Sequence, residues 1–578
     1  MTEETKVADT VSVPKESIRL TWGLIALVGV LCGFFVLIPV WTGPAGSAIG
    51  RESVDGEGSW WFQWWVAHAL SRGVPISHTD MMFYPWGKNL LLDTGANMVD
   101  ALIVLPIRAL FGPLAAWNVL CLGIMVSNGI AAGWWVLSSR GSRLAAMTTT
   151  AIVTLHPFVL FELEEGRPTQ ALLAPAIVAL LYGIRAIEEQ DPVKGRRSAL
   201  WAGLLLAFTG WVYWYCAGFV ALALTVWAGT QARWRTAVSR LTIMGLVSLL
   251  ATAPAVIPIL AAIVSDQVAG VLPVSEWMDG TIDFSTLSGD VVAIHTIDWQ
   301  GRVGVLRQVV GDGGSASGLG WEPLGVAMGP VVFFAALGAF WQRWRWGLVF
   351  GLVVVMGIGP FPAGIPNPVY IGVAQILPAM DRLYWPCRIL VLLVPMAAVG
   401  LAYWVDRFPV RWRPLAGVLL VLAAVADLQA RQVMPLSTWD PKPLEEYACF
   451  ADEEGAMIVL PYGWDHLHLV DQTVHHLPIL GGMNERSRRL VPAEQRALKS
   501  DNGWIEALLT APLNPRASIA WEQSAKEAVA RLGYRWVVLR KEQLRGETST
   551  PAKRQRERWG RMRLAEIAGK PVYEGDSI

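Results

Sequence analysis

RESVDGEGSWWFQWW, residues 51–65, is the stretch from which the rest of the chain is read. It follows directly on the first long apolar run, about residues 20–40. It carries two carboxylates, Asp55 and Glu57, among glycines, and then a dense run of tryptophans. In an extended segment residues i and i+2 point the same way, so both carboxylates would face one site. Gly56 and Gly58 would let a ligand approach the backbone closely. A carboxylate so placed suits a general base acting on a hydroxyl, or a ligand for a divalent cation that neutralises phosphate. The bland alternative is a solvated turn that ends a helix, and an Asp-x-Glu pattern alone does not separate the two.

Composition narrows the setting. The chain has 578 residues, 53% hydrophobic and only 16% charged, with a mean hydropathy of +0.41. Soluble domains carry roughly 25% charged residues. Long uncharged runs alternate with short basic ones, the pattern of a polytopic membrane protein. The 30 tryptophans fit that class, because indole favours the membrane interface. Basic and acidic residues total 47 each and no basic domain stands out, so nothing points to nucleic acid. The five cysteines are scattered, with no pair at metal-ligand spacing.

Residues 1–19 read as a polar cytoplasmic tail rather than a cleavable signal, since the run that follows is long enough to span. Eleven membrane spans are expected, at about 20–40, 114–137, 144–162, 168–189, 198–213, 216–232, 241–264, 323–341, 346–361, 387–405 and 413–430. With the N-terminus cytoplasmic, the basic connections (Arg140/Arg143, Lys194/Arg196/Arg197, Arg233/Arg235, Arg343/Arg345 and Arg407/Arg411) all fall on the cytoplasmic side. Outer loops then comprise 41–113 and 265–322, and residues 20–431 form one transmembrane domain. Residues 99–111 are apolar but short, and read as an interfacial or re-entrant helix. From 432 to 578 charge rises, and period-2 runs at 456–460, 474–480 and 534–539 alternate with helical patterns near 493–510, 522–532 and 551–568. That is the pattern of a small extracytoplasmic α/β domain.

Further candidates lie at the outer mouths of the spans. Glu162, Glu164 and Glu165, beside Arg167, form a second acidic site; carboxylates at a membrane surface are either exposed or functional. Arg382 and Arg388 could clamp a phosphate or anchor a helix in headgroups. His466, His468, His475 and His476 form the one histidine cluster, with His466 and His468 expected on one strand face. His295 and Asp298 mark the large outer loop.

The order of pieces carries a resemblance. VDGEGSWWFQWWVAHAL is followed by FYPWGKNL, a short Leu/Pro-rich helix and LFGPLAAWN, and later come WVYWYCAG, DRLYWPCRILVLL, QTVHHLPILGG and LGYRWVVLRK. This resembles the GT-C superfamily of polyprenyl-phosphate-dependent glycosyltransferases, and especially its bacterial members that join about a dozen spans to a C-terminal extracytoplasmic domain. The resemblance implies a polytopic α-helical membrane protein plus a small C-terminal α/β domain, in a bacterial cytoplasmic membrane. It implies transfer of a sugar from a lipid-phosphate donor to a glycan, lipid or protein acceptor on the outer face. By position Asp55 would be base or metal ligand, with Glu57 the alternative. Glu164 and Glu165 would correspond to second-loop acids, and a divalent cation (magnesium or manganese) would sit between Asp55 and Glu164. That turn lacks a clean acidic pair of the family's kind. A rival class is a transporter or flippase for lipid-linked glycans, but no internal repeat is visible and the acids lie at the surface rather than mid-span.

Overall fold

A computed structural model describes residues 15–43, 46–92, 98–264, 329–357, 367–376, 386–430, 434–462, 467–483, 491–512, 514, 516–517, 519–541, 551–575 and 577–578. The loop 265–322, with His295 and Asp298, lies outside them, as do Arg382 and His466.

Helix α1 (Lys15–Val36) leads through the short α2 (Ile38–Thr42) into the first long connection, which holds β1 (Ala48–Ile49), α3 (Val54–Arg72), β2 (His78–Thr79) and β3 (Lys88–Asn89). Helix α4 (Met98–Ser138) is two helices joined at Gly112 (φ 86°), with Pro113 next. The apolar run 99–111 is therefore a helix of its own ahead of the predicted span. Its Ile103, Leu110 and Phe111 are exposed, as suits a lipid-facing segment.

The bundle continues with α5 (Arg143–Thr154), α6 (Pro157–Glu164), α7 (Pro168–Ala171), α8 (Ala174–Glu188), α9 (Pro192–Val212), α10 (Trp214–Gly229) and α11 (Trp234–Val264). It ends with α12 (Gly329–Gln342), α13 (Arg345–Gly357), α14 (Pro368–Ile376), α15 (Leu393–Arg407) and α16 (Arg413–Ala430). Within the described residues each of the eleven predicted segments falls on helix. Six helical stretches there are long and apolar enough to cross a bilayer, and three shorter apolar ones accompany them. The predicted span 144–162 is broken where the His156 ring accepts the Phe158 amide and Pro157 restarts the helix. The predicted hairpin turns at Tyr213, between α9 and α10.

Close helix packing comes from small residues. Gly129 and Gly133 stand one turn apart on α4, against Thr150 and Thr154 of α5. A Cβ on Gly129 would fall 2.1 Å from Thr154 Oγ1, and one on Gly133 would fall 2.2 Å from Thr150 Oγ1. Lipid offers no hydrophobic drive between helices, so such close backbone approach is what holds them.

After α16 the chain returns to the segment that follows α2. Strand β4 (Thr438–Trp439) pairs antiparallel with β1. Strand β5 (Ala456–Leu460) precedes α17 (Leu467–His475), α18 (Ala493–Asp501), α19 (Gly503–Thr510) and α20 (Gln523–Arg531). Strand β6 (Tyr534–Leu539) then pairs parallel with β5, and α21 (Pro551–Ala568) follows. The intervening helices supply the crossover that a parallel pair needs.

The period-2 reading of 474–480 is corrected. Helix α17 runs to His475, and of that stretch Ile479 alone bridges β5, opposite Met457. Pro478 has no N–H for a ladder, while Gln472 and His475 bond the Leu477 backbone in the turn after the helix and Asp471 accepts the Leu444 amide.

The tryptophans of the opening stretch are not membrane anchors. Trp61, Trp64 and Trp65 are buried in one core with Met82, Phe83, Tyr447, Met457 and Leu469. Trp61 Nε1 donates to Gln472 Oε1 at 2.7 Å, and Lys88 Nζ donates to the Met483 carbonyl at 2.7 Å. The first long connection and the C-terminal region thus share a hydrophobic core.

Candidate active site

Ser53 caps α3: its Oγ accepts the Gly56 amide at 3.0 Å and donates to the Glu165 carbonyl at 2.8 Å. The RESVDGEG segment is therefore the first turn of a helix rather than an extended loop, and the expected i, i+2 geometry is overturned. Two residues along a helix is a turn of about 200°, so Asp55 and Glu57 diverge. The Asp55 side chain is 53% exposed, while Glu57 is buried. An anion at Asp55 sits on the positive end of the helix dipole.

The turn 162–167 is packed directly onto this helix end. Gly166 (φ +73°) lies so near that a Cβ on it would fall 2.2 Å from the Gly56 Cα. Only glycine fits both the backbone conformation and the space. The Arg51 amide donates to the Glu164 carbonyl at 2.8 Å, completing the junction.

The two acidic sites of the sequence thereby become one cluster, threaded by arginine. Arg167, almost wholly buried, places Nε 3.5 Å from Asp55 Oδ2 and 3.1 Å from Glu162 Oε2. Its Nη2 lies 3.8 Å from Glu165 Oε2, and Arg51 Nη2 lies 2.5 Å from Glu165 Oε1. Glu164 turns away from Asp55's partners and accepts the Ser437 amide at 2.8 Å. Glu162 is fully buried.

Arg388 stands in the 3₁₀ turn Pro386–Leu392 that opens α15, where Nη1 donates to the Tyr213 hydroxyl at 2.6 Å.

No protein-family profile matches the chain, and comparison with curated proteins finds no match. Solved structures do match. The Archaeoglobus fulgidus oligosaccharyltransferase in its apo form aligns over 92% of this chain and 70% of its own, at 12% identity and a TM-score of 0.52. Arabinofuranosyltransferase AftD from Mycobacteria aligns over 90% of this chain and 35% of its own, at 17% identity and a TM-score of 0.55. The chain shares its fold with these two proteins. The chain is accordingly a multi-pass α-helical membrane protein.

Within this fold each expected metal ligand already has a partner. Asp55 faces Arg167, Glu165 faces Arg51 and Arg167, and Glu164 holds an amide. Among the described residues no three His, Cys, Asp or Glu side chains are grouped to hold an ion. As arranged, these donors do not fit a divalent cation.

The histidine cluster is not a strand face either. His468 and His475 are buried on α17, with His468 Nε2 3.3 Å from the Pro461 carbonyl. Burial, and then neighbouring His476 and His468, push the His475 imidazole down to about 3. His476 stacks on Trp64 of α3 at 5.5 Å between ring centres, and Trp64 also stacks on His68 at 4.6 Å. Burial first, and then Arg72 and His476, hold His68 down to about 4, with Asp80 opposing. These rings belong to the packing between α3 and α17.

Arg51 and Tyr213 are the members of the site that sequence reasoning passed over. Arg51 stands inside the opening stretch, next to the acids it would meet only after folding. Tyr213 carried no signal beyond its place in an aromatic hairpin.

Proposed function

We propose that the protein is a membrane glycosyltransferase that moves a sugar from a polyprenyl-phosphate donor to an acceptor hydroxyl, with Asp55 as the base. The observation that carries this reading is the half-exposed Asp55 carboxylate on a helix N-terminus, set in a bed of buried ion pairs within a GT-C fold. Two of the proteins sharing that fold are an oligosaccharyltransferase and an arabinofuranosyltransferase.

In this scheme the donor's tail lies in the bilayer and its phosphate meets Arg388, with Arg382 a further candidate from the sequence. Tyr213 accepts a hydrogen bond from the Arg388 guanidinium, a planar group whose geometry suits a phosphate. The acceptor oxygen attacks the sugar's anomeric carbon while the bond to the phosphate oxygen breaks. Asp55 takes the hydroxyl proton, and the polyprenyl phosphate leaves with the bonding electrons. Glu57, buried and turned away, is the weaker candidate for the base. Divalent-cation dependence through Asp55 and Glu164 would require displacing Arg167 and the Ser437 amide.

The reading puts the N-terminus in the cytoplasm of a bacterial cell, and residues 41–113 and 432–578 outside the cytoplasmic membrane. Its support is the agreement of the basic loops. The C-terminal region would then be an extracytoplasmic α/β domain seated on the first loop. Purified protein given labelled undecaprenyl-phosphate hexoses and pentoses tests the class. Release or transfer of sugar supports the enzyme. Absence of both, with the same lipids flipped by proteoliposomes, would favour the transporter.

A further inference from the structure

We infer that Arg167, held by the buried carboxylate of Glu162, is the positioning residue of the site: it fixes the first turn of α3 so that Asp55 faces its substrate. This rests on the reading of Asp55 as the base, but its geometry is independent of any substrate. The Asp55 side chain is half exposed, and a carboxylate so placed samples several rotamers unless something holds it. Arg167, with Nε 3.5 Å from Asp55 Oδ2, is that restraint. It is itself held by Glu162, by Glu165 and by the Phe161 ring, 5.6 Å from its guanidinium carbon.

A salt bridge that served stability alone would not need this arrangement. Buried pairs gain little over apolar residues of the same size, and Arg167 reaches Asp55, Glu162 and Glu165 at once. The Arg167–Glu162 pair therefore adjoins the proposed base. Positioning of this kind acts on the rate of the bound complex, since a small misplacement of a reacting group can cost about 10²-fold.

Arg167→Ala alone would leave Glu162 buried without its ion-pair partner and risks misfolding. The informative variant is Arg167→Met combined with Glu162→Gln, which removes both charges together. With undecaprenyl-phosphate sugars as the probe, the double variant is expected to lose about 10²-fold in kcat with donor KM within about twofold. Arg167→Lys is expected to recover part of that loss, because a point charge can reach Asp55 without the guanidinium fork. Hydrogen exchange supplies a readout that needs no turnover: amides of residues 54–57 should exchange about tenfold faster in the double variant. Wild-type kcat, or unchanged exchange at 54–57 in a folded double variant, overturns the inference. The base reading fails separately, if Asp55→Asn transfers sugar at the wild-type rate while the double variant is slow.

Discussion

At the scale of single residues, Gly166 and His475 carry the sharpest consequences. Gly166→Ala would need an L residue at φ +73° and a methyl group 2.2 Å from the Gly56 Cα. Strain of this kind costs on the order of 1–3 kcal/mol. A lowered Tm of the detergent-purified protein is expected, with reduced transfer because the junction beneath Asp55 is pushed apart. His475 sets a dependence on pH. Its folded-state value, near 3, lies below the unfolded value of about 6.5, so the unfolded chain binds the extra proton. Stability is complete above about pH 6.5 and falls as pH drops toward 3, by up to about 1.4 kcal/mol per pH unit from this one group. Thermal melts from pH 7.5 to 4.5 should show that slope, and His475→Asn should flatten it. The place of Asp55 just after the first apolar helix was legible in the sequence. Its divergence from Glu57 was not, because glycines at 56 and 58 argue for a loop, whereas Ser53 capping the Gly56 amide makes a helix.

Among elements, the pairing of α3 with α17 matters most. Trp61 is fully buried and bonds Gln472, which also donates to the Met81 carbonyl at 2.8 Å. Trp61→Ala is expected to cost about 3–5 kcal/mol, read as a lower Tm and faster proteolysis of residues 432–578. Gly133→Leu on α4 tests the helix crossing in the bundle; overpacking there should cost about 1–3 kcal/mol without altering the α3–α17 contact. The helices themselves were readable from apolar run length, which is why every predicted segment meets helix. The tryptophans were misread for a physical reason: indole suits a membrane interface and a protein core equally, and composition cannot say which surface will cover it. The false strand at 474–480 has a similar origin, since VHHLPIL has the right alternation but Pro478 and the polar bonds of α17 decide its conformation.

For the whole molecule, the shared core means that the membrane bundle and the C-terminal region are built to fold together. A chain ending at residue 431 would uncover Trp61, Trp65, Met82 and Phe83. It is expected to aggregate in detergent, as judged by size-exclusion chromatography, where the full chain runs as a single peak. The multi-span helical architecture was visible in the order of the sequence pieces, whereas the fusion of the two acidic sites into one arginine-threaded cluster depended on contacts more than a hundred residues apart, such as Ser53 with Glu165. The central claim is that this cluster presents Asp55 as a base at the membrane surface. Its most direct test is the initial rate of sugar transfer from saturating undecaprenyl-phosphate sugar by wild type and Asp55→Asn, a substitution that keeps the shape and removes the charge. The account predicts a fall in kcat of about 10²–10⁴-fold with donor KM little changed; a kcat within about threefold of wild type would contradict it.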